Sequence, residues 1–403
     1  MSDFRTHIRS GLAAAAMLVA CMPVAQAQNE IKIGAIVPSS GPFAEWGRSN
    51  TVTLNMLEKQ INDAGGINGA KLKIVIYDDS AKPAQAANAL RKLAGDDQVL
   101  AVAGPLTSSA CEVTFPVANQ MQIVSTSQAS SKPGVAKANR PWAFRDTVDE
   151  GILARTSVPY FKKTFAVKSV AIIYDAKDAV STAIATKIMP GVFAANGIEV
   201  LNAKNPVSFN TGDLDVSAQI TTLKSMNPDG VVIGADYSQA ITVIREMKRQ
   251  GLLKPVIGGT PLISSAILGA AAEIPIVAPA TFYATMKTAR AEKFVSELQP
   301  LLRKTSGLPT DIEPSMYDAN IYEIVSMYIG AVKQDHIAGK PGELAADRVK
   351  IRDYLTNLKG FEGFSGPIHF GPEGDAVKTF FIVQGQNGAW ETKESSCSAE
   401  GGC

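Results

Sequence analysis

The chain has 403 residues, with 39 Lys+Arg against 38 Asp+Glu; 46% of its residues are hydrophobic and 19% charged. That length supplies two to three domains' worth of core, so neither disulfides nor metals are needed for stability. Balanced charge excludes a basic face for nucleic acid and a polybasic attraction to anionic lipid. Four Cys and three His leave little material for a disulfide scaffold, a metal cluster or a general base, so no cofactor, no metal and no nucleic-acid partner is expected.

Residues 1–27 have the layout of an export signal. Arg5, His7 and Arg9 precede the apolar run from Gly11 to Ala20, and Ala25-Gln-Ala27 places small residues at the spacing a signal peptidase reads. Cleavage after Ala27 predicts a periplasmic protein with balanced charge, because the removed segment carries Arg5, Arg9 and Asp3. Leu18-Val-Ala-Cys21 resembles a lipobox, and lipid attachment at Cys21 is the rival. No later apolar run approaches the ~18 residues of a membrane helix, so any membrane role passes through a partner.

Strand-like runs follow at Ile31–Val37, Leu72–Tyr77, Val99–Ala103, Val170–Tyr174, Gly230–Gly234 and Pro255–Gly258. Amphipathic segments of helix length lie around 47–63, 83–95, 108–120, 150–164, 180–195, 213–226 and 238–250. This alternation predicts an α/β protein with parallel sheets covered by helices. The rhythm restarts after Pro133-Gly134, as though a second sheet begins, and residues 284–358 read as mainly helical. Ser365-Gly-Pro-Ile-His-Phe370 and Phe380-Phe-Ile-Val383 then read as extended. Two Rossmann-like lobes are expected: 28–147 with about 284–365, and 148–283 with about 366–393. A flexible tail, 394–403, would hold Cys397 and Cys403 either as a local disulfide or as thiols, whereas Cys111 reads as a core residue.

Catalytic signatures are absent: the chain contains no G-x-S-x-G elbow, Walker loop, H-E-x-x-H or strand-linked G-x-G-x-x-G. His336 and His369 stand far from any paired nucleophile, and acidic pairs such as Asp149-Glu150 read as helix caps. An enzyme is therefore not expected. More informative is Gly104-Pro-Leu-Thr-Ser-Ser-Ala110, where a strand turns into a helix. Ligands of parallel α/β sheets bind beyond the strands' carboxyl ends, and free N–H groups at a helix start favour an anion. Ser108 and Ser109 are thus candidates to grip a carboxylate, with plain N-capping as the alternative.

Several motifs in order, Ile31-Lys-Ile-Gly-Ala-Ile-Val-Pro-Ser-Ser-Gly-Pro42, Gly65-Gly-Ile-Asn-Gly69, Tyr77-Asp-Asp79, Gly104-Pro-Leu-Thr-Ser108, Asn227-Pro-Asp229 and the stretch from Gly363 to Asp375, give the chain its resemblance to the leucine/isoleucine/valine-binding family of periplasmic substrate-binding proteins. The resemblance implies a type I periplasmic binding protein fold, two lobes joined by three hinge crossovers, and delivery of cargo to the membrane permease of an ABC importer by a monomer. It places the carboxylate-holding serine at Ser108 and the aromatic wall at Trp46. A second contact loop falls on Ser127, Gln128, Ala129 and Ser130, with the family's threonine at Ala129 or Ser130. On the other lobe, Ala179-Val180 stands where the family has Tyr-Gly, and Gly234-Ala-Asp236 where it has Gly-Gly-Tyr. Thr260 takes the place of the glutamate that meets a ligand ammonium. Asp236 is then the leading anion for an amine, with Asp149 and Glu150 as substitutes. The expected cargo is a branched-chain or other hydrophobic amino acid. Alternatives are an aromatic, oxo- or hydroxy-acid without an amine, or a sensor module that signals ligand status to a receptor.

Overall fold

The computed structural model describes residues 30–386, 388–398 and Cys403. The export segment, Cys21 included, lies outside the described residues. Five parallel strands form the first sheet: β1 (Glu30–Val37), β2 (Lys71–Asp78), β3 (Ala101–Ala103), β4 (Val124–Ser127) and β5 (Ala143–Arg145), in the order β2-β1-β3-β4-β5. The helices α1 (Ala44–Asp63), α2 (Pro83–Gly95) and α3 (Ser108–Met121) connect them. Alternation along β1 explains why both faces are covered. Ile31, Ile33, Ala35 and Val37 join one core, while Ile36 on the opposite face joins a second core with α2 and α3 residues such as Leu90 and Val117. Gly34 sits where a Cβ would press on Leu93 at 3.0 Å.

The second lobe starts with α4 (Glu150–Phe165), β6 (Ser169–Asp175), α5 (Ala179–Ala183), which passes through one π-turn into α6 (Met189–Ala195), and the short β7 (Glu199–Val200) and β8 (Val207–Phe209). It continues with α7 (Ser217–Ser225), β9 (Gly230–Gly234), α8 (Tyr237–Arg249), β10 (Val256–Gly258), α9 (Ser265–Ala271) and β11 (Ile276–Ala280). Adjacent residues of β9 again serve opposite layers, Val231 and Ile233 against α7, α8 and α9, and Val232 against α4, α5 and α6.

The chain then returns to the first lobe. Helices α10 (Ala289–Arg303), α11 (Met316–Gln334) and α12 (Leu344–Thr356) pack there, followed by a small sheet of β12 (Phe361–Glu362), β13 (Pro367–Phe370) and β14 (Ala376–Val377). Ile368, Phe370 and Ala376 belong to the first lobe's core, and the Phe370 ring meets Phe144 of β5 with centroids 5.0 Å apart. The expected crossing near residue 365 is therefore corrected: the chain crosses at Lys378, where β14 gives way to β15 (Thr379–Gln386) and then β16 (Ala389–Cys397). Both pair antiparallel, β15 with β11 and β16 with β15, so the second sheet is mixed rather than parallel. Residues 394–397, expected as flexible tail, are the end of β16, and a disulfide joins Cys397 to Cys403. Cys111 is buried and reduced, as expected.

Three crossovers connect the lobes, and side chains of all three meet on α11. Lys378 Nζ of the third lies 2.9 Å from Asp146 Oδ1 of the first. Thr281 of the second donates to Asn320 Oδ1 at 3.5 Å, and Lys378 Nζ donates to the same oxygen at 3.3 Å. Arg145, fully buried at the end of β5, grips Asp375 with two nitrogens and reaches Asp149 at 3.0 Å, fixing the first crossover where it leaves the sheet. Among the described residues no helix is long and apolar enough to cross a membrane.

Candidate functional site

Both sheets point the carboxyl ends of their parallel strands at the gap between the lobes, which is where the fold places ligands. The gap holds a small, partly open void of about 30 Å³ lined by Phe43, Trp46, Leu106, Thr107, Ser108, Ala129 and Tyr317 from the first lobe and by Asp178, Val180, Asp236 and Pro261 from the second. Its walls are aromatic. Phe43 and Trp46 lie nearly parallel with centroids 5.6 Å apart, and Trp46 meets Tyr317 edge-on at 4.6 Å. Across the gap Trp46 touches Tyr237, at the start of α8, at 5.1 Å. Thr260 Oγ1 of the second lobe also lies 3.4 Å from Ser131 Oγ of the first, so the lobes meet beside the void as well.

The first lobe offers hydrogen-bond donors. The cap of α3 is Thr107, whose hydroxyl accepts from Ala110 N at 3.2 Å. Ser108 is thereby released from capping: its hydroxyl lies 2.9 Å from that of Ser130 and borders the void. The second lobe offers acceptors. Asp178 caps α5, taking the Ser181 amide at 2.8 Å and hydroxyl at 2.6 Å. Asp236 caps α8, taking the Ser238 amide at 2.8 Å, the Ser238 hydroxyl at 2.6 Å and the Gln239 amide at 3.3 Å. Burial raises both carboxyls above the usual carboxylate range, Asp236 to about 6, and the cap hydrogen bonds only partly offset it.

Of the residues singled out from sequence, Trp46, Ser108, Ala129 and Asp236 line the void, and Ser130 supports Ser108 from behind. The others lie elsewhere. Ser109 borders a separate surface depression with Lys132, Lys177 and Lys187. Ser127 is buried, donating to Pro105 O at 2.7 Å and accepting from Ser130 N at 3.0 Å, so it shapes the loop. Gln128 points inward to Asn50 at 3.2 Å. Asp149 caps α4 and pairs with Arg145, which removes it as an ammonium partner. Thr260 spends both its amide and its hydroxyl on Glu150 Oε1, at 3.0 and 2.5 Å, and this buried carboxyl is raised by desolvation. Val180 lines it where the resemblance placed Ala179-Val180, whereas Phe43, Leu106, Thr107, Asp178, Pro261 and Tyr317 were not anticipated as lining. For Asp178 a signal existed, a carboxylate three residues before Ser181 at a helix start.

Residues 30–389 match the family model described as periplasmic binding protein. The chain belongs to that family. A relative from Pseudomonas aeruginosa, a leucine-, isoleucine-, valine-, threonine- and alanine-binding protein, is 28% identical over 61% of this chain and 65% of its own length. The match thus spans slightly less than two thirds of that curated relative. Leu/Ile/Val-binding protein homolog 3 of Brucella melitensis is 24% identical over 89% of this chain and 91% of its own. Among solved structures of this periplasmic binding protein fold, LivJ of Streptococcus pneumoniae with isoleucine superposes with a TM-score of 0.78 at 24% identity, over 92% of this chain and all of that one. A solute-binding protein of R. palustris with benzoate has a TM-score of 0.78 at 18% identity, over 92% and 97%. These likenesses establish the type I periplasmic binding protein architecture for this member.

Proposed function

We propose that the protein is an exported solute-binding protein of an ABC importer. It captures a small carboxylate-bearing molecule by closing its lobes and presents the closed form to a membrane permease. The observation that carries this reading is the void itself, lined by both lobes, walled by aromatic rings and bordered on the first lobe by Ser108 at the start of a 14-residue helix. Amino-acid-binding relatives support the amino acid as cargo. Membership of a substrate-binding family supports binding without covalent change as its function. Residues 1–27 direct export, and the periplasm is the compartment.

A ligand that touches both lobes only when they close shifts an open–closed equilibrium toward the closed form. A thermal-shift screen of amino acids and aromatic acids tests the reading, because binding to the native state raises stability as RT ln(1 + [L]/Kd). The hits should compact the protein in small-angle scattering. A screen without hits, or hits that leave the scattering profile unchanged, overturns it.

The second reading is an aromatic acid without an amine. Its support is the three aromatic rings around the void and Thr260 in the place of the family's glutamate.

A further inference from the structure

We propose that the Cys397–Cys403 disulfide is a redox-sensitive clamp on the third crossover, holding the lobes together while it is intact and easing their parting when it is reduced. This rests on the lobe closure proposed above and adds a control that lies outside the binding site. β16 is the edge strand of the second sheet and ends at Cys397, which stands opposite Thr379 in the ladder with β15. Ser398 continues that register by one residue and so faces Lys378, where the chain crosses. Lys378 N donates to Ser398 Oγ at 3.0 Å, and Ser398 N donates to Lys378 O at 3.2 Å. The Ser398 hydroxyl in turn donates to Ala376 O at 3.4 Å, and Ala376 lies in the first lobe's core. One residue beside the disulfide thus grips the backbone at the point where the chain passes between lobes.

The end of an edge strand at a chain terminus frays unless it is tied down. The disulfide ties this one, because it closes residues 397 to 403 into a ring that contains Ser398 and restricts its freedom. Lys378 is also held from its other end, its ammonium lying 2.9 Å from Asp146 of the first crossover and 2.8 Å from Glu323 of α11. A hinge absorbs lobe rotation as φ/ψ changes in the few residues that cross, here 376–379. Ser398 bonds to Ala376 and Lys378 at once, so such changes must break part of its grip. The conformation it grips is the one in which Trp46 meets Tyr237 and the lobes touch. An intact clamp therefore favours the closed form.

Cys403 is exposed and Cys397 half-buried, so a dithiol reductant reaches the bond at Cys403. One thiolate of the reductant attacks Cys403 Sγ to form a mixed disulfide, and Cys397 leaves as a thiolate that takes up a proton. The second thiol of the reductant then displaces Cys403, which also ends as a thiol. Two electrons and two protons pass to the protein, and the dithiol becomes a disulfide. Cys111 takes no part: it is buried, and burial pushes its thiol up to about 12, so it supplies no thiolate for exchange.

The test compares ligand-free mature protein before and after treatment with dithiothreitol, by hydrogen exchange at the Lys378 amide and by small-angle scattering. On reduction that amide should exchange about tenfold faster or more and the radius of gyration should rise, and re-oxidation should restore both. The double variant Cys397→Ser, Cys403→Ser should behave as reduced wild type and be indifferent to dithiothreitol. Ser398→Ala keeps the disulfide but loses the hydroxyl, so it should loosen the amide in part, and reduction should add less than it does in wild type. A Lys378 amide whose exchange ignores the redox state overturns the clamp. So does faster exchange with an unchanged scattering profile, which would confine the disulfide to local stability. Both results leave the solute-binding reading standing, because the ligand screen decides that separately. Should a variant not fold, wild type in its two redox states decides alone.

Discussion

Lys378 Nζ lies 2.8 Å from Glu323 Oε2, with both side chains almost wholly removed from solvent, and this contact joins the third crossover to α11. Asp146 of the first crossover completes the cluster. One cation thus serves two carboxylates, and burial pushes the Asp146 carboxyl well above its ordinary range while the paired carboxylates keep Lys378 protonated. Replacing Lys378 by Met removes the only neutralising charge of the cluster, and breaking a buried pair in this way costs about 3–5 kcal/mol. The urea midpoint of Lys378→Met should fall accordingly. Glu323→Gln keeps the Lys378–Asp146 pair and should cost less. Equal midpoints for wild type and Lys378→Met would show that the cluster contributes nothing to stability.

Trp46 is the side chain of the first lobe that meets a ring of the second, Tyr237, across the gap. Its environment must change when the lobes part. Ligand binding should alter the intrinsic fluorescence, and Trp46→Phe should abolish most of that change although Trp142 and Trp390 remain. A full signal in Trp46→Phe would place the reporting tryptophan elsewhere.

Ser108→Ala removes a hydroxyl that borders the void and leaves the Thr107 cap intact. A charge-assisted hydrogen bond to a carboxylate is worth roughly 1.5–3 kcal/mol, so affinity should drop about tenfold or more while the melting temperature barely moves. Loss of stability without loss of affinity, seen by calorimetry and thermal melting together, would make Ser108 a structural residue only.

The ligand-free protein should be more stable near pH 5 than near pH 7.5. Asp79 and Asp236 both titrate at about 6, raised by burial from 3.8. A folded value above the unfolded one means that the native state holds extra protons between the two, so stability falls as pH rises from about 4 through 6 and is level above. The loss is on the order of 2–3 kcal/mol for each group. Asp78 and Asp229, which are lowered, act at more acidic pH and leave this window alone. Melting curves across pH test it, and Asp236→Asn should flatten part of the slope. A melting temperature that climbs from pH 5 to 7.5 contradicts the prediction.

Much of the architecture is written in local pattern. Hydrophobic runs such as Ile31–Val37 and Gly230–Gly234 are buried on both faces because helices cover both, and that requirement alone produces their unbroken apolar character. Turn and helix-start residues around Gly104–Ser108 put donors at a strand's carboxyl end, where Ser108 indeed borders the void. Other elements left weaker traces. The strand Ile276–Ala280 carries Pro279 inside it, a residue that cannot donate to a ladder and so hides a central strand from a pattern reading. Whether 367–370 extends the first lobe or the second cannot be fixed by alternation, since an extended apolar run fits any sheet that has a place for it. The packing of Phe370 on Phe144 and the anchoring of Lys378 among Asp146 and Glu323 decide that question. For the same reason the site was legible one lobe at a time. Sequence determined that helix starts would carry Ser108 and Asp236. Only tertiary structure brought Asp178 and Asp236 to the same void as Ser108, because which groups share a space depends on which helix ends converge, and convergence is a property of packing rather than of spacing along the chain.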